Sequence, residues 1–408
     1  MPVPVRRELI RSGIALAAVS ILALSVALLF VNAYPLPPVQ FDAVEYMSLA
    51  RNIAVGKGFT QDGITPAIYR PPLSSALLGG WFFLTGTSSP FSAAVFQSLL
   101  HTVGVLAAFL LFLEIASSPA WAVAGALWLA VNPLLVTRAA FVMQEPTLLL
   151  FTTLAALLSV RWIKFPSTSR AGLAGTAWGL CTLAKVVSWF APFLLLAMQF
   201  LPGRQRREWR GTEAATLLVC FVAVVAPWSV RNYVHFHRFI PVNGQGEGML
   251  EWNVSHAEIP GELPGSEYST QVYGRGLPEG ERKALLWRYV LDHPGYFFGF
   301  RVLRNAVHFA APPRDWWIAR GHFRPGEHRT GFWLLAALFH VPLYLLLLFR
   351  SGQWWTGRAS SPVLGFLVLL YLAYWAQYSL IYGDPRFGIP VYPLLVGIAL
   401  TSMRSILR

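Results

Sequence analysis

The interval from Phe41 to Pro72 gathers Asp42, Glu45, Arg51, Lys57, Asp62 and Arg70, directly after an apolar run from Ile14 to Val31. Carboxylates beside fixed cations can take a proton from a hydroxyl and hold an anion in place. Asp42, Glu45, Tyr46 and Leu49 recur at spacings of three and four, which on a helix puts the two carboxylates and the ring on one side. Gly56 and Gly58 predict the end of that helix. Tyr69, Arg70, Pro71 and Pro72 predict the start of another, with prolines in its first turn. The preceding run has about the 20 residues that a bilayer needs, so the polar interval begins where a first span leaves the membrane.

Charges at the end of an apolar run are costly and point to function more often than not. Three more stand in such places: Glu145 before Pro146, Lys185 near the end of an apolar run, and Arg386 between Pro385 and another apolar run. Each has a purely structural alternative. Asp42 could cap a surface helix, Glu145 could complement a helix dipole, and Arg70 and Lys185 could snorkel to lipid headgroups.

The elements that must position these residues are apolar helices. The 408 residues are 55% hydrophobic and 12% charged, with 16 tryptophans, and runs of bilayer length recur from end to end. The expected fold is therefore an all-α polytopic membrane protein. The net charge of +13 does not point to nucleic acid, because Arg and Lys fall in short clusters between apolar runs and not along one face. Cys181 and Cys220 lie in or beside apolar runs and support neither a disulfide framework nor a thiolate metal site. Arg6, Arg7 and Arg11 followed by apolar residues and Val31, Asn32 and Ala33 resemble a signal peptide, but the stretch exceeds the about 7 to 15 residues of a signal core, so a retained span is expected.

About ten crossings are predicted, near residues 12–33, 91–113, 119–136, 145–163, 171–187, 188–202, 212–230, 329–349, 362–382 and 387–403. The fifth and sixth could instead form a re-entrant pair, being interrupted by Lys185 and Pro192. Alternate loops carry the basic clusters, at Arg6, Arg7 and Arg11, at Arg161, Lys164 and Arg170, at Arg204, Arg206, Arg207 and Arg210, at Arg350 and Arg358, and at Arg404 and Arg408. By the positive-inside rule both termini are cytoplasmic, and Asp42, Arg70, Glu145, Lys185 and Arg386 all come out on the other side. The chain divides into an N-terminal transmembrane module, 1–230, with a first outer loop, 34–90; an outer-side loop domain, 231–328, with interfacial helices from about Glu279; and C-terminal spans, 329–408.

His235 and His237 alternate as metal ligands on a strand do, yet no carboxylate stands at a matching spacing. Glu247, Glu251, His256, Glu258, Glu262 and Glu267 read as a solvated loop face, and Trp316 and Trp317 as interfacial anchors or a sugar-stacking pair.

At these residues the sequence resembles the polyprenyl-phosphate-sugar-dependent glycosyltransferases of the membrane-embedded GT-C class, in particular family 39, the relatives of protein O-mannosyltransferases and of the lipid A aminoarabinose transferase. The resemblance is carried by DAVEYMSLARNIAVGKGF, with Asp42, Tyr46, Ala50, Asn52, Gly56 and Gly58 in place, and by YRPPL. It continues through NPLLVTRAAFVMQEPTLLLF, with Glu145 at the second acidic position, GLCTLAKVVSWFAPFLL, PWSVRNYVHFHRFIPVN and PRFGIPVYPLL. Two positions depart from it: Ala43 follows Asp42 where many relatives have an acid, and His237 stands where relatives often carry Gly.

The resemblance implies a GT-C fold with outer-side juxtamembrane helices, in the bacterial cytoplasmic (inner) membrane, with the active site on the periplasmic or extracellular side. It implies an inverting transfer of a sugar from a polyprenyl-phosphate donor to an acceptor hydroxyl on a lipid, protein or polysaccharide. Asp42 would be the base, with Glu145 assisting. Arg70, Lys185 and Arg386 would hold the leaving phosphate, and Tyr46, Glu45 and Tyr69 would contact substrate. No cofactor is expected, no Gly-rich nucleotide loop is present, and a divalent cation is possible without being indicated. The alternative is a transporter or flippase of the same polyprenyl-linked sugar, which should place its charges near the membrane midplane.

Overall fold

The computed structural model describes residues 3–33, 39, 42–116, 118–201, 208–244, 277–311, 329–356 and 361–406. In chain order the helices are α1 (Val3–Ala33), α2 (Asp42–Ala54), α3 (Pro72–Thr85), α4 (Pro90–Ala116), α5 (Pro119–Ala130), α6 (Pro133–Ala140), α7 (Glu145–Lys164), α8 (Thr168–Ala184), α9 (Ala191–Ala197) and α10 (Gly211–Phe236). They continue as α11 (Glu279–Asp292), α12 (Val302–Ala310), α13 (Arg329–Trp355), α14 (Pro362–Ile381), the single turn α15 (Pro385–Gly388) and α16 (Tyr392–Ile406). Proline occupies the first turn of α3, α5, α6, α7, α14 and α15, where its missing N–H has no helical partner to lose. Among the described residues there is no strand, only an antiparallel bridge between Thr60 and Pro66.

Gly13–Ala33, Pro90–Ala116, Glu145–Lys164, Gly211–Phe236 and Pro362–Ile381 are long and apolar enough to cross a bilayer. The sequence-based count of about ten also takes in α8, of 17 residues, and the shorter apolar stretches Val186–Phe200 and Pro385–Thr401, which length alone does not qualify. The expected span 119–136 is not one helix: α5 and α6 meet at 49°. Pro133 disfavours helical geometry at Asn132, whose side chain turns to accept the Leu134 N–H at 2.9 Å and restart the coil.

The bundle is built around α4, α7 and α8. α4 packs on α1, α5 and α7, and α8 lies between α7 and α10. The α8–α10 contact is a small-residue seam, since bilayer lipid is as apolar as leucine and helices gain by letting backbones approach. A Cβ on Gly175 would lie 2.1 Å from the Leu217 carbonyl oxygen, and one on Gly179 would lie 2.7 Å from Val224 Cβ. At the far end of α7, Glu114 of α4 accepts from Arg161 at 2.9 Å and Lys164 at 3.3 Å. A 20-residue helix is about 30 Å long, so Glu145 and this basic cluster stand a bilayer's hydrocarbon thickness apart.

His235 and His237 do not alternate on a strand. His235 lies in the last turn of α10, and His237 ends that helix in the left-handed region, at φ 52°. That conformation explains why glycine suits the position, because a Cβ is strained there. The helix expected from Glu279 is present as α11, followed by a π-helical stretch, Gly295–Arg301, and α12. Trp316, Trp317 and the carboxylates from Glu247 to Glu267 lie outside the described residues.

Gly175→Val should therefore lower stability by about 3 kcal/mol by forcing α8 from α10. Thermal unfolding of the detergent-solubilised protein checks this, with Gly13→Val, where a Cβ meets nothing within 4 Å, expected to leave the midpoint unchanged.

Candidate active site

The site starts at the first residue of α2. Asp42 and Glu45 lie in its first turn on one side, and Tyr46 beside them is buried. The chain must then double back. Asn52 donates to the carbonyls of Thr60 at 2.8 Å and Gln61 at 3.0 Å, and Gly56 and Gly58 take φ values of 78° and 73° that favour glycine. Asp62 does not join the site. It accepts from the Ile64 and Thr65 amides and from the Thr65 hydroxyl, which hold its carboxyl down at about 2. It is a turn residue.

This loop returns Arg70 to the start of α2. Its Nη2 donates to Asp42 Oδ1 at 2.7 Å, its Nε donates to Glu45 Oε2, and its guanidinium lies 5.3 Å from the centre of the Tyr46 ring. Arg70 is only 7% exposed, so it is no headgroup snorkel. The other oxygen of Asp42 meets Arg386 Nη2 at 3.4 Å. That arginine comes from 344 residues further along, presented by α15, whose first turn is capped by the Asp384 carboxylate on the Arg386 amide. Gly383 allows the approach, since a Cβ there would lie 2.0 Å from the Asn305 carbonyl oxygen.

Burial alone pushes the Asp42 carboxyl up, but Arg386, Arg70 and Lys185 together outweigh it and hold the group below its ordinary 3.8. Asp42 is thus ionised at neutral pH. Glu145, at the start of α7, is 3% exposed, and neither of its carboxylate oxygens has a hydrogen-bond partner. It shares an electrostatic neighbourhood with Lys185, Arg386 and Arg138. Lys185 sits in the extended break after α8, its Nζ 3.8 Å from the centre of the Phe387 ring and 5.3 Å from that of Tyr378. Among the described residues it meets no carboxylate.

Seven of the eight residues singled out in the sequence therefore converge: Asp42, Glu45, Tyr46, Arg70, Glu145, Lys185 and Arg386. Tyr69 does not. The residue is 62% exposed, and its backbone carbonyl accepts from Asn243 at 3.0 Å. Sequence reasoning missed Gln144, which accepts the Tyr46 hydroxyl at 2.9 Å, and Arg138, only 3% exposed on α6. A signal for Arg138 was present, because an arginine inside an apolar stretch is costly unless it serves a site. Gln144 carried none. Among the described residues no group of three His, Cys, Asp or Glu gathers as metal ligands.

Residues 69–230 match the family model of dolichyl-phosphate-mannose-protein mannosyltransferases. No curated protein sequence matches the chain. Among solved structures, the oligosaccharyltransferase of Archaeoglobus fulgidus in complex with zinc and sulfate is similar at 14% identity with a TM-score of 0.54. The alignment covers 95% of this chain and 49% of that one, so the chain spans about half the length of the transferase it matches. The same oligosaccharyltransferase tethered to an acceptor peptide containing the NVT sequon gives 15% identity, a TM-score of 0.54, and coverage of 96% and 49%. ArnT from Cupriavidus metallidurans bound to undecaprenyl phosphate gives 14% identity and a TM-score of 0.44, covering 97% of this chain and 77% of that one. The likeness to the oligosaccharyltransferase is one of fold, and the architecture is the all-helical GT-C fold.

Arg70→Ala leaves Glu45 without its arginine and Asp42 with Arg386 alone, and should cost about 2 kcal/mol, less than a fully buried pair because both carboxylates are partly solvated. Since the folded Asp42 value is depressed, its contribution is present above the unfolded value and fades as pH falls through the folded one. Thermal unfolding against pH should show the Arg70→Ala deficit at pH 7 shrinking on acidification below about 4.

Proposed function

We propose that this chain, whose residues 69–230 match a mannosyltransferase family and whose helices follow the GT-C fold, is an inverting glycosyltransferase. Its donor is a sugar on a polyprenyl phosphate and its acceptor a hydroxyl. The site lies at the outer face of a bacterial cytoplasmic membrane. The observation that carries the proposal is the Asp42 carboxylate shared by Arg70 and Arg386, in the company of Glu145 and Lys185. Acids and cations drawn from five segments of the chain meet at the α7 end opposite the Arg161 and Lys164 cluster. The positive-inside rule assigns that basic end to the cytoplasm.

In the reaction the acceptor oxygen attacks the anomeric carbon from the face opposite the phosphate. The bond from that carbon to the phosphate oxygen breaks with its electron pair going to the oxygen, and the acceptor proton passes to Asp42. The leaving polyprenyl monophosphate gains a charge and needs cations already in place. Lys185 is the readiest, because Arg70 is engaged by two carboxylates while Lys185, among the described residues, is paired with none and lies over two aromatic rings. The arginines also hold Asp42 low as a base. A donor phosphate that draws Arg386 toward itself weakens that hold, so that Asp42 becomes more basic once the donor is bound. Glu145, with two unbonded oxygens, is placed to receive substrate hydroxyls. Neither a nucleotide nor a resident metal enters the proposal: both oxygens of Asp42 already face arginines, a donor set poorly suited to a divalent cation.

A transporter of the same lipid would bind it near the midplane, whereas this cluster is at a helix end. Purified protein given a polyprenyl-phosphate sugar and acceptor should release free polyprenyl phosphate. Asp42→Asn, inserted and folded as wild type, should lower that release by about 100-fold or more. Wild-type release by Asp42→Asn would remove Asp42 as the base, and transfer of the intact lipid across the bilayer without cleavage would favour the transporter.

A further inference from the structure

Lys185 owes its place to a break in the bundle. α8 stops at Ala184, Lys185 is extended at φ −157° and ψ 123°, and a short 3-10 turn, Val186–Ser188, follows before α9. A helix interrupted among apolar neighbours frees backbone groups and needs something to fix its geometry. The break is held by a chain of buried polar side chains. Thr152 Oγ1 of α7 lies 3.3 Å from Cys181 Sγ of α8, the Cys181 thiol donates to Ser188 Oγ at 3.2 Å, and Ser188 Oγ lies 2.7 Å from Tyr374 Oη of α14. All of these side chains are buried, with Ser188 and Tyr374 fully so. The Ser188 amide closes the turn by donating to the Lys185 carbonyl at 3.1 Å.

The placement of this chain within its helices is informative. Thr152 follows Glu145 by seven residues, the same face of α7 two turns inward. Tyr374 precedes by four residues Tyr378, whose ring faces the Lys185 ammonium and stacks on Phe387 at 4.8 Å. The hydroxyl of Ser188 therefore joins the helix that carries Glu145 to the helix that carries one wall of the Lys185 cage.

We propose that Ser188, anchored by Tyr374 and Cys181, is the positioning residue that holds Lys185 at the anion site. This rests on the glycosyltransferase reading only in taking Lys185 as the phosphate anchor. Ser188 touches no substrate and acts through the lysine's backbone. Without its hydroxyl the turn keeps its backbone bond but loses its tie to α14, and the ammonium loses its fixed distance from Glu145 and Arg386.

The test is a double-mutant cycle on binding of farnesyl monophosphate to the full-length protein in detergent, with thermal unfolding recorded for every variant. Lys185→Ala should weaken binding. Ser188→Ala should weaken it about fivefold to tenfold, the value of one buried hydrogen bond, and Tyr374→Phe, which keeps the ring and removes the same bond from the other side, should do likewise. In the Lys185→Ala background, Ser188→Ala should add less than about twofold, because the residue it positions is gone. Normal binding by Ser188→Ala and Tyr374→Phe alongside weakened binding by Lys185→Ala overturns the positioning role and leaves the transferase reading standing. An equal loss from Ser188→Ala in both backgrounds marks a general packing role and also overturns it. Unchanged binding by Lys185→Ala removes the lysine as phosphate anchor, and this inference with it.

Discussion

A carboxylate shared between two arginines governs the arrangement of this molecule. Asp42 is half-shielded from water, and a buried carboxylate is tolerated only where cations compensate its lost hydration. Arg70 and Arg386 do so from opposite ends of the chain. Most of what surrounds them follows from bringing those guanidinium groups to one point. The α2–α3 loop is folded back on Asn52, prolines open α3 directly after Arg70, and Gly383 presses against the Asn305 backbone so that α15 can present Arg386. The close seam of α8 on α10 in turn fixes the helix from whose end Lys185 emerges.

The charges around Asp42 are nearly balanced, which bears on how an anionic substrate would be received. Arg70 is satisfied by Asp42 and Glu45, whereas Glu145 and Lys185 face the same region without completing a bond to each other or to anything else described. Unfulfilled groups of opposite sign, buried side by side, suit a ligand with both an anionic phosphate and hydroxyl donors. The lipid-phosphate-linked sugar of the proposed reaction is such a ligand. In the proposed transfer, the same balance would keep Asp42 a weak base until an incoming phosphate competed for its arginines, so donor binding would precede activation of the acceptor.

Much of this was legible in the sequence because intramembrane and juxtamembrane charges are rare and expensive. Asp42, Glu145, Arg70, Lys185 and Arg386 stood out against apolar runs, and helical spacing put Glu45 and Tyr46 on the side of Asp42. Tyr69 lies apart from the buried cluster because adjacency to Arg70 says nothing of side-chain direction in an irregular loop, and the residue is largely exposed. The count of about ten crossings rests in part on apolar stretches that the structure breaks, at Asn132 and Lys185, since hydropathy does not register a bend. Gln144 and Ser188 left no trace, being uncharged residues whose importance is a partner far away in the chain. That glycine suits position 237 gained a reason only from the backbone dihedral there.

The central claim is that residues far apart in sequence form one anion-receiving mouth at a single membrane face. Its most direct test is an electron cryomicroscopy map of the protein in lipid nanodiscs with farnesyl monophosphate. The account predicts phosphate density bounded by Lys185 and Arg386, level with one leaflet's headgroups, with the Asp42 and Glu145 carboxylates on that same side. Phosphate bound elsewhere, or those two carboxylates at opposite faces of the bilayer, would contradict it.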